Sequence, residues 1–281
     1  MGELLALSSA VCFGSTHFVN GLVSRRAHGM TVALYAQIGG TALSVIAASA
    51  GPSGAPGVQA LGYGALSGLG TGVGVAFLYR AMSKGAMSVV VPLSDVGAVA
   101  LPVLVGLAFL GERPPSPAVV GVVGALPAIW LVSGGSGPRS ERPVGVVGVG
   151  DALVAGVGFA AQYLAIARVP VEAGLWPVVA SRVMSVAVVA VLLWHVRGPW
   201  RLPSARLWVP ALAAGAVGTV ALVLYLAATQ QELMAVATVL SALYPVIPVV
   251  LALVFLHERV SRGQALGLAG AGTAIALIAL Q

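Results

Sequence analysis

Ten stretches of about twenty apolar residues follow one another along this chain, and a bilayer is the solvent that suits them. A helix rises about 1.5 Å per residue and bilayer hydrocarbon is about 30 Å thick, so each stretch is long enough for one crossing. On that ruler the spans run over 4–23, 31–50, 58–79, 86–110 and 118–134, then over 146–167, 173–194, 207–229, 233–256 and 264–280. Arg25-Arg26, the Gly/Pro-rich run at 51–56, Lys84-Gly85, Pro114-Pro115 and Gly198-Pro199 punctuate them. Only 8% of the residues are charged and 59% are hydrophobic, too little polar surface to cover a soluble core. The expected fold class is all-α integral membrane. The opening Met-Gly-Glu lacks the basic start of a signal peptide, so the first stretch is expected to stay as a helix.

Phe-Leu-Gly-Glu-Arg ends at Arg113 and Phe-Leu-His-Glu-Arg ends at Arg259, an offset of 146 residues (259 − 113). The same offset aligns Phe13 with Phe159, Gly72 with Gly218, Tyr79 with Tyr225 and Pro102 with Pro248. This is an internal duplication. The expected domains are a first five-helix repeat over 1–134, a linker over 135–145 and a second repeat over 146–281. Five crossings per repeat oblige the second copy to enter the membrane in the opposite sense, which makes ten transmembrane helices in two inverted repeats. Eleven of the 14 basic residues fall in loops after the odd-numbered spans, among them Arg25, Arg26, Arg80 and Lys84, against Arg113 and Arg168 on the other side. The excess of positive charge inside a cell then places both termini extracytoplasmic, in a multi-pass inner or plasma membrane protein.

Several classes are set aside. The single cysteine, Cys12, excludes an internal disulfide and a cysteine-rich metal site, so no metal or other cofactor is expected. The net charge of +6 sits at loop ends and gives no case for nucleic acid. No Gly-Lys-Ser/Thr occurs, so ATP is not a direct driver. An intramembrane serine protease could draw on Ser67 and His17, but no oxyanion donors can be argued and a duplicated architecture gives an asymmetric active site nothing. The protein is read as not an enzyme.

Segment 241–267, with Tyr244-Pro245, an apolar run into Leu-His-Glu-Arg, then Gln264 and Gly267, resembles the EamA-type repeat of the drug/metabolite transporter superfamily. Phe13-Gly14-Ser15 is similar to the opening of that family's first helix, and Glu112-Arg113 keeps its motif in the first half, where Val99 stands in place of Pro245. The resemblance implies ten helices in two inverted repeats, a central cavity and export or exchange of small metabolites. It also implies cytoplasmic termini, where the charge count says the reverse.

Ionisable groups inside a membrane are expensive and read as functional by default. Asp95, beside Ser94, lies near mid-depth in span 4, and Arg182 lies near mid-depth in span 7. Each faces water or the other: either a charge pair at the cavity floor, with Asp95 taking a proton or a substrate amine and Arg182 a carboxylate or phosphate, or a structural ion pair, or an Asp capping a break near Pro92. In span 1, His17 and Asn20 share a face with Phe13. His17 is either a proton relay or a histidine bonded to a carbonyl. Gln37, Gln162, Tyr163 and Trp176 are further candidates, as are Ser241 and Tyr244, which follow Thr238 at three-residue spacing. Tyr79 and Tyr225 read as interfacial anchors. Glu112, Arg113, Glu258 and Arg259 read as charge pairs ending equivalent helices. Gly64, Gly68 and Gly72, with Gly70 and Gly74, form small-residue stripes suited to close helix packing. Pro92, Pro102, Pro245 and Pro248 suggest kinks at matched places in both repeats. Spans 5 and 10 are almost free of polar residues, so they face lipid or a second copy, in a monomer or a homodimer.

The function expected is a secondary active transporter, exporter or exchanger, of a small polar or amphipathic metabolite such as an amino acid, working by alternating access. A lipid or lipid-linked flippase and a passive channel are the alternatives.

Overall fold

The computed structural model describes residues 1–24, 26–51, 57–84, 87–109, 111, 115–134, 148–244, 246–247 and 262–279. Among them are ten α-helices: α1 (Gly2–Ser24), α2 (Gly29–Ala50), α3 (Val58–Lys84), α4 (Met87–Phe109), α5 (Ser116–Gly134), α6 (Val149–Ile166), α7 (Trp176–His195), α8 (Ala205–Thr229), α9 (Met234–Ser241) and α10 (Arg262–Ala279). A 3-10 turn over Val171–Ala173 precedes α7. No strand occurs among the described residues. α2, most of α3, α7 and α8 are each long and apolar enough to cross a membrane. The motif residues Glu112, Arg113, Glu258 and Arg259 lie outside the described residues.

The ninth stretch differs from the sequence reading. One helix was expected over 233–256, but α9 ends at Ser241 after eight residues. From there the chain turns through short-range bonds, Leu243 N–H to the Leu240 carbonyl and Ile247 N–H to the Tyr244 carbonyl. In the first repeat the matching residues stay inside an unbroken α4. The reason is residue 99. Valine donates its N–H and continues a helix, whereas Pro245 cannot donate and pushes Tyr244 out of helical geometry. The turn at 242–244 therefore has no counterpart in α4, and Pro248, the match of Pro102, lies outside the described residues.

Packing follows the duplication. α3 lies against α6 and α7, and α8 lies against α1 and α2; α4 meets α6 as α9 meets α1. Exchanging each helix with the one five places away turns this pattern into itself. α10 packs on α5, which leans on α4 and α9, and Val119, Val120, Val123 and Leu266 point outward from that pair. The glycine stripe of α3 packs as its spacing suggests: Gly64 and Gly68 sit on the backbone of Pro177 and Ser181 in α7, and Gly70 faces Gly158 of α6.

The helix ends gather at two poles. At the first, Gly29 touches Tyr79, the Thr31 hydroxyl donates to the Pro199 carbonyl, and Gly198 lies by His28. Arg80 also grips Asp151 there through two parallel bonds of 2.9 and 2.7 Å. At the second, Gly2 rests against Glu232, and the start of α3 at Gln59 and Tyr63 faces Arg168 and Glu172. Thus α1 starts at the second pole and its counterpart α6 at the first.

Candidate functional site

A central cavity of about 50 Å³, room for a small cluster of waters, is lined from both repeats. α1 supplies Phe13, Thr16, His17 and Asn20, α2 Gln37, α3 Thr71 and Tyr79, and α4 Asp95. The second repeat adds Phe159, Gln162 and Tyr163 from α6, Arg182 from α7, Gly218 from α8 and Tyr244 from the broken end of α9. Asn20, Tyr79 and Asp95 lie nearer helix ends at the first pole and Gln162, Tyr163 and Arg182 nearer helix ends at the second, so the cavity sits between the poles. Toward the second pole the helices are tied together. Ser9 Oγ donates to the Ala221 carbonyl at 2.8 Å, Ser241 Oγ to the Ala6 carbonyl at 3.2 Å, and Tyr225 shares a 2.8 Å bond with Thr238.

Asp95 is 1% exposed. The Tyr244 hydroxyl donates to its Oδ1, while Oδ2 has no partner among the described residues. The break in α9 makes this bond possible, because it carries Tyr244 off the helix and into the cavity wall. Arg182, 5% exposed, does not pair with Asp95, which departs from both readings of these residues as a pair. Its Nη2 donates to the Gly218 carbonyl at 2.7 Å and its Nη1 to Gln37 Oε1 at 3.1 Å, and the Nε is unpartnered among the described residues. Gln37 also accepts from Ser185 at 2.8 Å. Two neutral acceptors, one from each repeat, thus hold the guanidinium, and the carboxylate bonds elsewhere. Each charge keeps one polar atom for something other than its counterpart.

The other candidates divide. Thr71 donates to Gln162 Oε1 at 2.6 Å, linking α3 to α6 in the wall. His17 lies over Tyr244 with ring centres 4.9 Å apart, and Phe13 meets Tyr163 edge-on at 6.4 Å. Ser94 and Ser241 are fully buried but do not line the cavity, and Ser241 works as the tie to Ala6. Trp176 opens α7, half-buried, away from the cavity.

Tyr79 and Tyr225 correct the sequence reading. Both are interior: Tyr79 is 7% exposed in the cavity wall, and Tyr225 is 0% exposed, its ring centre 4.7 Å from that of Tyr163. Nearness to a helix end suggested anchors, but α3 continues to Lys84 and α8 to Thr229, which draws both rings into the bundle. Thr71 and the Gly218 carbonyl were missed altogether. A threonine between glycines carries no signal of its own, and a backbone carbonyl carries none at all. Asp151 was missed too, although an acidic residue near the start of a helix opposite the arginine-rich loops was a usable clue.

The sequence model of the EamA-like transporter family matches residues 1–134 and again 146–280. No curated protein matches the chain. A solved crystal structure 21% identical in sequence superposes with a TM-score of 0.76, covering 99% of this chain and 96% of that one, which speaks for the fold alone.

Proposed function

The chain belongs to the EamA-like transporter family, and from that premise we propose that it is a secondary active transporter of a small polar or amphipathic metabolite, working by alternating access. The observation that carries this reading is the central cavity, where buried Asp95 and Arg182 each offer an unpartnered polar atom. A merely structural pair would have satisfied each other. The two repeats are read as inverted copies of five crossings each. The opposite starting poles of α1 and α6 and the exchangeable packing favour it. Asp95 takes a proton or a substrate donor, Arg182 takes an acceptor, and His17, Gln162, Tyr163 and Tyr244 shape the space between them. The side-chain ties that close the bundle toward the second pole fit one stage of an alternating cycle.

Purified protein in liposomes, loaded with a pH-sensitive dye and offered amino acids and amines in turn, is expected to give saturable uptake accompanied by proton movement. Flux that never saturates and ignores the proton gradient would identify a passive channel instead. The basic loops of the first pole are assigned to the cytoplasm, with both termini outside. A single cysteine at Gln59, in a Cys12→Ser background, is then expected to react with an impermeant maleimide in intact cells, and one at Arg201 is not. The reverse pattern would turn the molecule over.

A further inference from the structure

We infer that Asn20 is a specificity residue that selects a primary ammonium group over a methylated one in the transported solute. The inference rests on the transporter reading of the central cavity. Three buried polar atoms there lack partners among the described residues: Asp95 Oδ2, Asn20 Oδ1 and Arg182 Nε. Asn20 is 2% exposed and lines the same cavity as Asp95. The cavity the two residues share is small, about 50 Å³, so a head group entering it is confined beside both.

Two kinds of cation suit a carboxylate among aromatic rings. A quaternary ammonium is held by ring faces and needs no hydrogen bond. A primary ammonium brings three N–H donors. The rings alone do not separate the two, since Phe13, Tyr79, Tyr163 and Tyr244 could face either. The leftover acceptors do. A trimethylated nitrogen would cover Asp95 Oδ2 and Asn20 Oδ1 with methyl groups and leave both unbonded, a desolvation loss that a primary ammonium avoids. Arg182 Nε, the unpartnered donor, adds a second requirement: an acceptor oxygen on the same small molecule. The chemical class is a small primary amine carrying a hydroxyl, carbonyl or carboxylate. Asp95 supplies the charge and Asn20 counts the N–H groups.

The test is binding, measured by thermal stabilisation and calorimetry on the purified full chain. The probes are ethanolamine against choline and alanine against its N,N,N-trimethyl derivative. The unmethylated member of each pair is expected to bind at least about tenfold more tightly. In Asn20→Leu the preference collapses to within about threefold, whereas Asn20→Asp, which keeps an acceptor oxygen, preserves it. Equal binding of both members by the natural protein, binding of none of the four, or a preference that survives in a folded Asn20→Leu overturns the inference. A Leu variant that does not fold leaves the decision to the natural protein and Asn20→Asp. The transporter reading stands or falls separately, on whether liposomes holding the protein take up any solute saturably.

Discussion

Asp95→Asn is expected to lose transport by roughly 10- to 150-fold, the range set by one charge-assisted hydrogen bond of about 1.5–3 kcal/mol. Expression and thermal stability are expected to stay near those of the natural protein. The amide keeps the shape of the carboxylate and can still accept from Tyr244, so the packing of α4 against the turn after α9 survives. What disappears is the charge and the ability to take up a proton. The measurement is initial uptake into liposomes at matched protein density, with folding read by size-exclusion elution and melting temperature. Uptake unchanged in Asp95→Asn would remove this carboxylate from the mechanism and leave it a structural acceptor for Tyr244.

Gly215→Leu is expected to abolish folding into a monodisperse species. α2 and α8 cross backbone to backbone. Gly39 lies on Leu212, and Gly215 lies on the carbonyl of Ala36. A side chain at 215 would enter a space already filled by main-chain atoms, which have no rotamer to change. Overpacking of this kind costs about 3 kcal/mol or more, a large share of the about 5–15 kcal/mol that separates a folded domain from its unfolded chain. Val217→Leu is the control, because Val217 is 37% exposed on the outer face of the same helix. Detergent-solubilised yield and melting temperature decide the matter. A Gly215→Leu protein that elutes and melts like the natural one would mean that α2 and α8 do not cross so closely.

Much of this architecture was readable beforehand, and the parts that were not share a cause. The offset of 146 residues exposed the duplication because Tyr, Pro and Glu-Arg seldom coincide by chance. Asp95 and Arg182 stood out because charge inside an apolar run has to be explained. Their separation did not stand out. It depends on Gln37 and the Gly218 carbonyl reaching Arg182 from other helices, and hydropathy carries no information about helix rotation. Tyr79 and Tyr225 were misplaced for a related reason: a span's length fixes where it ends in sequence, not how far the helix continues beyond the lipid. The break before Pro245 was legible as a kink but not as a full interruption. Proline says where a hydrogen bond must fail, and the surroundings decide how much helix is lost.

Arg80 and Asp151 join the last turn of α3 to the first turn of α6 at one pole. Carried across the offset, their positions become Leu226 and Leu5, which cannot make an ion pair. Two halves that trade places during a cycle would therefore not balance. The arrangement that keeps this clasp is favoured by up to about 1 kcal/mol, a population ratio near five to one, and dissolved salt erodes the advantage. In the alternating cycle proposed for this chain, a clasp present at one rim and without a counterpart at the other would give the molecule a preferred resting direction.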